Sequence, residues 1–452
     1  MKGKKHEIDM CSGSLAGKIL IFALPLVLSS MLQLLFNAAD VVVVGRYCGK
    51  ESLAAVGSNT SLIFLFINLF VGLSVGANVV VAQDLGAGKK EEVNRAVHST
   101  ILIAVISGIF LLVAGQLLGR QMLEWMGSPD TVIDLATLYL RVFFLGMPAN
   151  MVYNFGAAIL RAKGDTKRPL YYLTGAGVVN VVLNLFFIVV CHWDVAGVAA
   201  ATSISQYISA ILVLRCLMKE EGLLRLDLRK LRFDADSFAR IVRVGLPAGM
   251  QGVIFSLSNV VVQSAVNSFG DVVMAGSSAA ASIEGFVYVA MNAFMQAAVS
   301  FAGQNYGAKK YDRVDRVAFW CVGYAALTGL VLGNLAYAFG PQLINIYSPG
   351  EPAVIEAGMM RMAMICRVYL LAGMMDAFVG VLRGLGHSVV PMICSLVGSC
   401  ALRLIWVAAI FPMFNTPLML FIAYPITWII TTAAQAVVFL IVRRKIRHSA
   451  EC

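Results

Sequence analysis

Asp40 is a carboxylate that stands inside an apolar stretch of the chain and directly precedes four valines. Gln33, Asn37 and Asp40 are spaced i, i+4 and i+7, so a helix would carry all three on one face. The helical rise puts Asp40 roughly 8 Å below the outer end of that helix, which is too deep for so short a side chain to reach water. A carboxylate in such surroundings either takes up a proton or is held charged by a cation. We therefore expect a proton or Na⁺ site at Asp40, although a structural aspartate hydrogen-bonded to a neighbouring helix would show the same pattern.

Carboxamides in two later apolar stretches add possible ligands. Asn180 and Asn184 stand at i and i+4 and share one helix face, and Asn154 lies in the preceding stretch. Amide oxygens suit a hard cation, so Asp40 and Asn180 would be its ligands if the ion were Na⁺. Hydrogen bonds between helices would explain the same asparagines equally well.

The second half of the chain carries its own charges at membrane depth, and these are Glu284, Asp376, Arg361, Arg367 and Arg403. Charged groups there are costly and are usually paired. We expect an internal ion pair between Asp376 and one of the three arginines. Glu284 and Asp376, together with Gln33 and Asn37, are candidates for lining a substrate cavity.

Composition places these residues in a membrane. Hydrophobic residues make up 59% of the 452 residues and charged residues 13%, with a mean hydropathy of +0.81. A soluble globular protein carries about 25% charged residues. A helix needs about 20 apolar residues to cross the hydrocarbon core. Twelve runs meet this requirement: 18–45, 53–82, 94–118, 131–160, 169–191, 195–218, 238–268, 275–304, 314–339, 353–382, 390–412 and 418–442.

The basic residues fix the expected orientation of these spans. If both termini are cytoplasmic, 28 of the 35 Lys and Arg residues fall in inner segments and 3 in outer loops. Cytoplasmic loops of membrane proteins carry such an excess. The net charge of +10 therefore reflects membrane topology and not nucleic-acid binding. We expect a multi-pass protein of the plasma membrane, the inner membrane of a bacterium, with both termini in the cytoplasm.

An internal repeat with an offset of about 222 residues relates the two halves. Leu24-Pro25 recurs as Leu246-Pro247, and Arg161 recurs as Arg383. Each half contains an even number of spans, so the repeat is parallel and not inverted. The sequence predicts an all-α polytopic membrane protein with twelve transmembrane helices in two six-helix lobes, 1–218 and 238–452. Residues 219–237 would form a cytoplasmic linker, either solvated or an amphipathic helix at the membrane surface.

The two halves share the arrangement of six spans, but their polar residues differ. At an offset of 222, Asp40 falls on Val262, Asn180 on Leu402 and Asn184 on Trp406. We find no motif of a hydrolytic, redox or nucleotide-binding centre. The sequence therefore predicts no enzyme and no cofactor, and any uphill transport would draw on an ion gradient.

Four stretches resemble the multidrug and toxic compound extrusion (MATE) family, and the resemblance covers 19–444. They are LPLVLSSMLQLLFNAADVVVVGRYCGKESLAAVG, QDLGAGKKEEV with its echo GQNYGAKKYDRV, ILRAKGDTKRP with its echo VLRGLGHSVVP, and NVVLNLFFI followed by AGVAAATSISQ. The resemblance implies two lobes facing each other in a V. It also implies export of drugs or metabolites, often cationic, in exchange for Na⁺ or H⁺, by a monomer.

The same resemblance implies a cation site in the first lobe, carried onto Asp40, Asn154, Asn180 and Thr202. Family members often have an aspartate where this chain has Asn184, which leaves the coupling ion open. One branch carries a glutamate near Phe255 that is absent here, and Asp376 is a loose substitute for it.

These observations together predict a secondary antiporter whose partners are small organic substrates, a coupling cation and the lipid bilayer. Two rival functions stay open. A flippase for a lipid-linked oligosaccharide would use the buried arginines of the second half to hold a pyrophosphate. A membrane receptor or channel would bind or conduct without coupled transport.

Overall fold

A computed structural model describes residues 7–451, and the regular structure there is helical throughout. The α-helices are α1 Leu15–Tyr47, α2 Lys50–Gly86, α3 Lys90–Trp125, α4 Asp130–Phe144, α5 Met147–Lys163, α6 Lys167–Leu185, α7 Asp194–Lys219, α8 Ala235–Asn267, α9 Asp271–Gly307, α10 Tyr311–Ala338, α11 Gly340–Tyr347, α12 Pro352–Ile365, α13 Leu370–Gly384, α14 Val389–Ser395, α15 Leu402–Ile405, α16 Phe411–Phe414, α17 Pro417–Phe421 and α18 Ala423–Glu451. Wider π-helical turns occupy Phe186–Val190, Leu396–Ala401 and Trp406–Ile410.

The predicted spans correspond to these helices. Within the described residues, ten helical segments are long and apolar enough to cross a membrane, and two bent pairs bring the number to twelve. Each of these segments begins a few residues before the predicted limit. For example, the predicted span 94–118 lies within α3, which begins at Lys90 with Glu91 and Glu92 in its first turn. Acidic residues there stabilise a helix N-terminus, so helical structure continues beyond the apolar run.

Two spans are bent sharply. Helices α4 and α5 meet at 46°, and α12 and α13 meet at 48°. Pro148 stands in the first turn of α5, where it has no N–H to continue the preceding helix. Pro148 falls in the middle of the predicted span 4, where a proline can kink a helix, and the structure breaks this span between Phe144 and Met147.

The described chain divides into two compact units. One contains Leu28–Gly249 together with the segment before Asp9, and the other contains Asp9–Val27 together with the chain from Met250 onward. Each unit has an apolar core, built around residues such as Phe144 and Phe155 in the first and Phe411 and Phe421 in the second. The units differ from the predicted lobes in two places. The first half of α1 belongs to the second unit, and the first half of α8 belongs to the first unit.

Part of the segment predicted as a linker packs against the first unit, while Glu221, Arg225 and Arg229 within it are exposed. Leu224 and Leu226 are both 2% exposed and join the core of the first unit. The backbone N–H of Asp227 donates to His98 Nε2 at 3.1 Å. Leu224 and Leu226 therefore pack on protein, whereas Leu228 is 47% exposed in the 3₁₀ turn Leu228–Lys230.

Candidate functional site

Three helices of the first unit bring together the polar residues predicted for the cation site. Asp40 lies on α1, Asn180 and Asn184 lie one turn apart on α6, and Thr202 lies on α7. The Asn184 amide Nδ2 donates a hydrogen bond to Asp40 Oδ1. Asn180 and Asn184 are 4% and 1% exposed. The i, i+4 spacing read from the sequence thus places both amides on the α6 face that contacts α1.

Asn180 links Asp40 to α7. In the amide orientation that satisfies both its donor and its acceptor, Asn180 donates to Asp40 Oδ1 at 3.1 Å. Its oxygen then accepts from Thr202 Oγ1 at 3.1 Å and from the Thr202 backbone N–H at 3.2 Å. The Thr202 hydroxyl also lies within hydrogen-bonding reach of Asp40. A single carboxylate is therefore surrounded by neutral partners from two other helices.

One buried acceptor of this cluster has no partner. Asn184 Oδ1 is enclosed and accepts no hydrogen bond from the residues that the structure describes. A buried polar atom left this way requires an explanation, such as an ion that is not present. Carboxylate, amide and hydroxyl oxygens are the ligand types that a hard cation prefers. The cluster can therefore hold Na⁺, or a proton on Asp40.

The remaining residues predicted for this half form no hydrogen bond to the cluster among the described residues. Asn154 is on α5, where its Nδ2 donates at 2.9 Å to both the backbone oxygen and the side-chain oxygen of Asn150. Gln33 and Asn37 are exposed on α1, on the turns that precede Asp40. Tyr139 on α4 is close enough to interact electrostatically with Asp40. Sequence reasoning missed Tyr139, because nothing in the apolar run around it marks the side chain as polar-facing.

In the second unit, the buried ion pair forms between residues other than those expected. Arg361 on α12 donates to Glu284 on α9 through Nε to Oε1 at 3.0 Å and Nη2 to Oε2 at 2.8 Å. A third bond runs from Arg361 Nη1 to Ser277 Oγ at 2.9 Å. The expected pair between Asp376 and Arg361, Arg367 or Arg403 does not form within the described residues, because Glu284 neutralises Arg361 and Arg367 is exposed over the Tyr337 ring.

The buried Asp376 instead shares a network with residues that sequence reasoning missed. Tyr288 on α9 hydrogen-bonds to Asp376, and Arg383 interacts electrostatically with it. Arg383 Nη2 donates to Gln251 Oε1 at 2.9 Å. Asp376 and Arg383 are seven residues apart on α13 and so lie on one face. This spacing was a usable signal, but the predicted topology placed Arg383 in an inner loop.

The buried polar clusters of both units lie within apolar helices that are long enough to span a bilayer. Ionisable groups at that depth usually mark substrate paths, ion paths or proton relays. The chain is therefore an all-α integral membrane protein with a candidate ion site in its first unit.

The chain belongs to the MatE family, whose model matches residues 25–186 and 247–410. Both matched segments contain the landmarks of the internal repeat, beginning at Pro25 and Pro247. The family resemblance described above is thereby confirmed. MatE proteins are membrane transporters, so this chain is a membrane transporter.

Relatives and solved structures agree with the family. The chain is 28% identical over 383 residues to the probable multidrug resistance protein YoeA of Bacillus subtilis, covering 83% of this chain and 82% of that protein. It is 24% identical to the probable multidrug resistance protein NorM of Thermotoga maritima, over 86% and 84% of the two chains. A crystal structure of MATE in the bent conformation matches with a TM-score of 0.88 at 23% identity, over 98% of both chains. These matches confirm the predicted all-helical fold with twelve spans.

Proposed function

We propose that this protein is a secondary active exporter of organic compounds that takes up Na⁺ or H⁺ in exchange. Its relatives YoeA of Bacillus subtilis and NorM of Thermotoga maritima are named as probable multidrug resistance proteins. The observation that carries the proposal is the carboxylate of Asp40, which is hydrogen-bonded by neutral groups on α6 and α7 beside the unpartnered Asn184 Oδ1.

The hydrogen bonds of Asp40 supply a mechanism. An ionised Asp40 accepts hydrogen bonds from Asn184 and Asn180, and these bonds attach α1 to α6. A proton or Na⁺ on the carboxylate occupies lone pairs that otherwise accept those bonds. Binding or release of the ion at Asp40 therefore changes the hydrogen bonds between α1 and α6. This change favours either the inward-open or the outward-open state of the transporter. A ligand shifts such an equilibrium by its difference in affinity for the two states.

The proposed setting is the plasma membrane, with both termini in the cytoplasm and the monomer as the transporting form. The distribution of 28 basic residues on one side against 3 on the other supports this orientation. Export then runs from the side that bears the termini to the opposite side.

The proposal is tested by ethidium efflux from proteoliposomes, with Na⁺ and H⁺ gradients imposed separately. We expect efflux under one or both gradients for the wild type. Asp40→Asn should lose gradient-driven efflux, because the amide cannot release a proton and carries no charge to hold Na⁺. Expression and elution as a single species should be unchanged, because the carboxamide keeps an oxygen acceptor for Asn184.

Asp134→Asn is the matched control, since Asp134 is an exposed carboxylate of the same unit that pairs with Arg120. It should transport like the wild type. Efflux by Asp40→Asn at the wild-type rate would refute the role of Asp40. Absence of efflux under both gradients in the wild type would refute export of ethidium and would leave a narrower substrate or the flippase for a lipid-linked oligosaccharide.

A further inference from the structure

A second buried arginine of the second unit lies close to Arg361 but has no acidic partner. Arg403 is 2% exposed, and the described residues place no carboxylate within 4.0 Å of its guanidinium. Its Nη2 donates a long hydrogen bond of 3.4 Å to Thr427 Oγ1, and its Nε has no partner among the residues described. Arg403 is thus a buried cation with unused donors.

The neighbouring ion pair cannot supply the missing charge. Both oxygens of Glu284 already accept from Arg361. Arg361 in turn acts on Arg403 as a like charge. Two guanidinium groups and one carboxylate leave this buried cluster with one uncompensated positive charge. Buried charges are normally paired, so the cluster lacks one anion.

Aromatic rings pack around the two guanidinium groups. The guanidinium carbon of Arg403 lies 4.0 Å from the centre of the Tyr424 ring, and that of Arg361 lies 5.8 Å from it. Trp428 stacks on Tyr369 at 5.4 Å and meets Tyr424 edge-on at 5.7 Å. The cation–π contact offsets part of the cost of burying Arg403, but it satisfies none of its N–H donors. An aromatic wall beside unused donors suits a ligand with a flat apolar body and an acidic group.

The backbone around Arg403 is also irregular. Arg403 lies in the four-residue helix α15, between the π-helical turns Leu396–Ala401 and Trp406–Ile410. Such turns are rare and occur frequently at functional sites. This observation is independent of the charge imbalance and points to the same residue.

We propose that Arg403, with the adjacent Arg361, binds an oxyanion, namely the carboxylate or phosphate group of an amphipathic organic ligand. The planar guanidinium matches both groups through paired N–H donors. The site lies entirely in the second unit, apart from the cation site at Asp40. It extends the proposed range of exported compounds to those with an acidic group. This assignment depends on the proposed export function in one respect, which is that the ligand is taken to be an organic compound.

The test is equilibrium dialysis of the full-length protein in nanodiscs of phosphatidylcholine, without any ion gradient. The probes are 2-naphthoate, 2-naphthyl phosphate and the uncharged 2-naphthylmethanol, which share one apolar body. We expect the two anions to bind the wild type at least tenfold more tightly than the alcohol. Equal affinity for anion and alcohol would overturn the proposal without any variant.

Three variants locate the site. Arg403→Gln should abolish the preference for the anions, and Arg403→Lys should retain part of it, because the charge remains but the paired donors are lost. Arg367→Gln is the matched control, since Arg367 is an exposed arginine of the same unit. It should bind like the wild type. Full preference in Arg403→Gln would overturn the assignment, and if that variant does not fold, an unchanged preference in Arg403→Lys would do so.

A second set of nanodiscs containing phosphatidylglycerol distinguishes the source of the oxyanion. If a lipid phosphate fills the site, naphthoate binding should fall in these discs, and native mass spectrometry should find phosphatidylglycerol on the wild type but not on Arg403→Gln. If soluble compounds fill it, naphthoate binding should be equal in both discs. The binding experiment uses no ion gradient. A failure of anion binding at Arg403 is therefore distinguishable from a failure of gradient-driven efflux at Asp40.

Discussion

Two carboxylates within the helices of this protein, the half-buried Asp40 and the buried Glu284, are held in opposite ways. Asp40 is hydrogen-bonded by the neutral amides of Asn180 and Asn184, whereas Glu284 is paired with the guanidinium of Arg361. Neutral partners leave the charge of Asp40 open to exchange with a proton or a cation, but an arginine fixes the charge of Glu284. The residue-scale contrast therefore assigns ion exchange to Asp40 and a structural role to Glu284.

Removal of the Glu284 charge should destabilise the second unit. Glu284→Gln leaves the Arg361 guanidinium buried without its counter-charge, and breaking a buried ion pair costs about 3–5 kcal/mol. We expect a clearly lower midpoint for heat-induced loss of the monodisperse species in detergent. Glu356→Gln changes an exposed glutamate of α12 and should not shift the midpoint.

Replacing both partners should recover stability. Glu284→Gln combined with Arg361→Met removes the charge that the single variant leaves unpaired on Arg361, so the double variant should unfold at a higher temperature than Glu284→Gln alone. An unchanged midpoint for Glu284→Gln, or no recovery in the double variant, would contradict the structural role of this pair.

The sequence predicted the first cluster better than the second for a physical reason. Asn180 and Asn184 share a face through local helical spacing, and this spacing needs no knowledge of neighbouring helices. The choice of Glu284 over Asp376 as the partner of Arg361 depends on how α9 packs against α12 and α13. Sequence spacing cannot determine that packing, so the expected pair was wrong.

At the scale of elements, glycines allow α2 and the first half of α8 to pack closely within the first unit. A Cβ on Gly72 would lie 2.2 Å from Gly249 N, and a Cβ on Gly76 would lie 2.2 Å from the backbone oxygen of Ile241. Gly72 with Gly76, and Gly245 with Gly249, each have the small-xxx-small spacing that brings membrane helices together. The sequence contains these pairs, but it does not show which helices they join.

A methyl group at this crossing should therefore separate the helices. Gly76→Ala would collide with backbone and not with a flexible side chain, so we expect a sharp loss of folded, monodisperse protein. Gly57→Ala is the control on the same helix, because a Cβ there meets nothing within 4 Å. The control should be neutral or gain about 1 kcal/mol, since alanine favours helix more than glycine does. Equal stability of the two variants, measured by thermal unfolding in detergent, would show that the close packing is unimportant.

A charged cluster joins the ends of α5, α6 and α7, and its Glu220 lies just beyond the last residue of the span Asp194–Lys219. Lys163 Nζ lies 2.5 Å from Glu220 Oε2, and Arg168 also pairs with Glu220. Burial alone would raise the pKa of Glu220, but the hydrogen bond and charge of Lys163 and the charge of Arg168 outweigh it and lower the pKa below its ordinary value of 4.5. A lowered pKa in the folded state contributes stability above pH 4.5 that is lost as the pH falls through the folded value.

Glu220→Gln should remove that dependence. The wild type should lose thermal stability as the pH falls below 4.5, and Glu220→Gln should start less stable at neutral pH and change less over the same range. Glu221→Gln, at the exposed neighbouring position, should follow the wild type. Parallel pH profiles for Glu220→Gln and the wild type, recorded by thermal unfolding in detergent, would refute the assigned ion pair.

At the scale of the whole molecule, the boundaries between the two units follow the internal repeat. The chain passes from one unit to the other between Val27 and Leu28, and again between Gly249 and Met250. These two points are one repeat apart, and each lies just after a proline, Pro25 or Pro247. Composition and charge predicted the spans, because membrane thickness and topology impose them on any sequence. The exchange of helix halves was not predicted, because an apolar run does not show which neighbours each half of a helix packs against.

The central claim is that Asp40 exchanges the coupling ion when substrate binds. It is tested most directly by adding ethidium to purified protein in weakly buffered detergent solution, while proton release is followed with a pH indicator and bound ²²Na⁺ is counted in parallel. The wild type and the Asp134→Asn control should release one of the two ions, and Asp40→Asn should release neither. Undiminished release from Asp40→Asn would contradict the account.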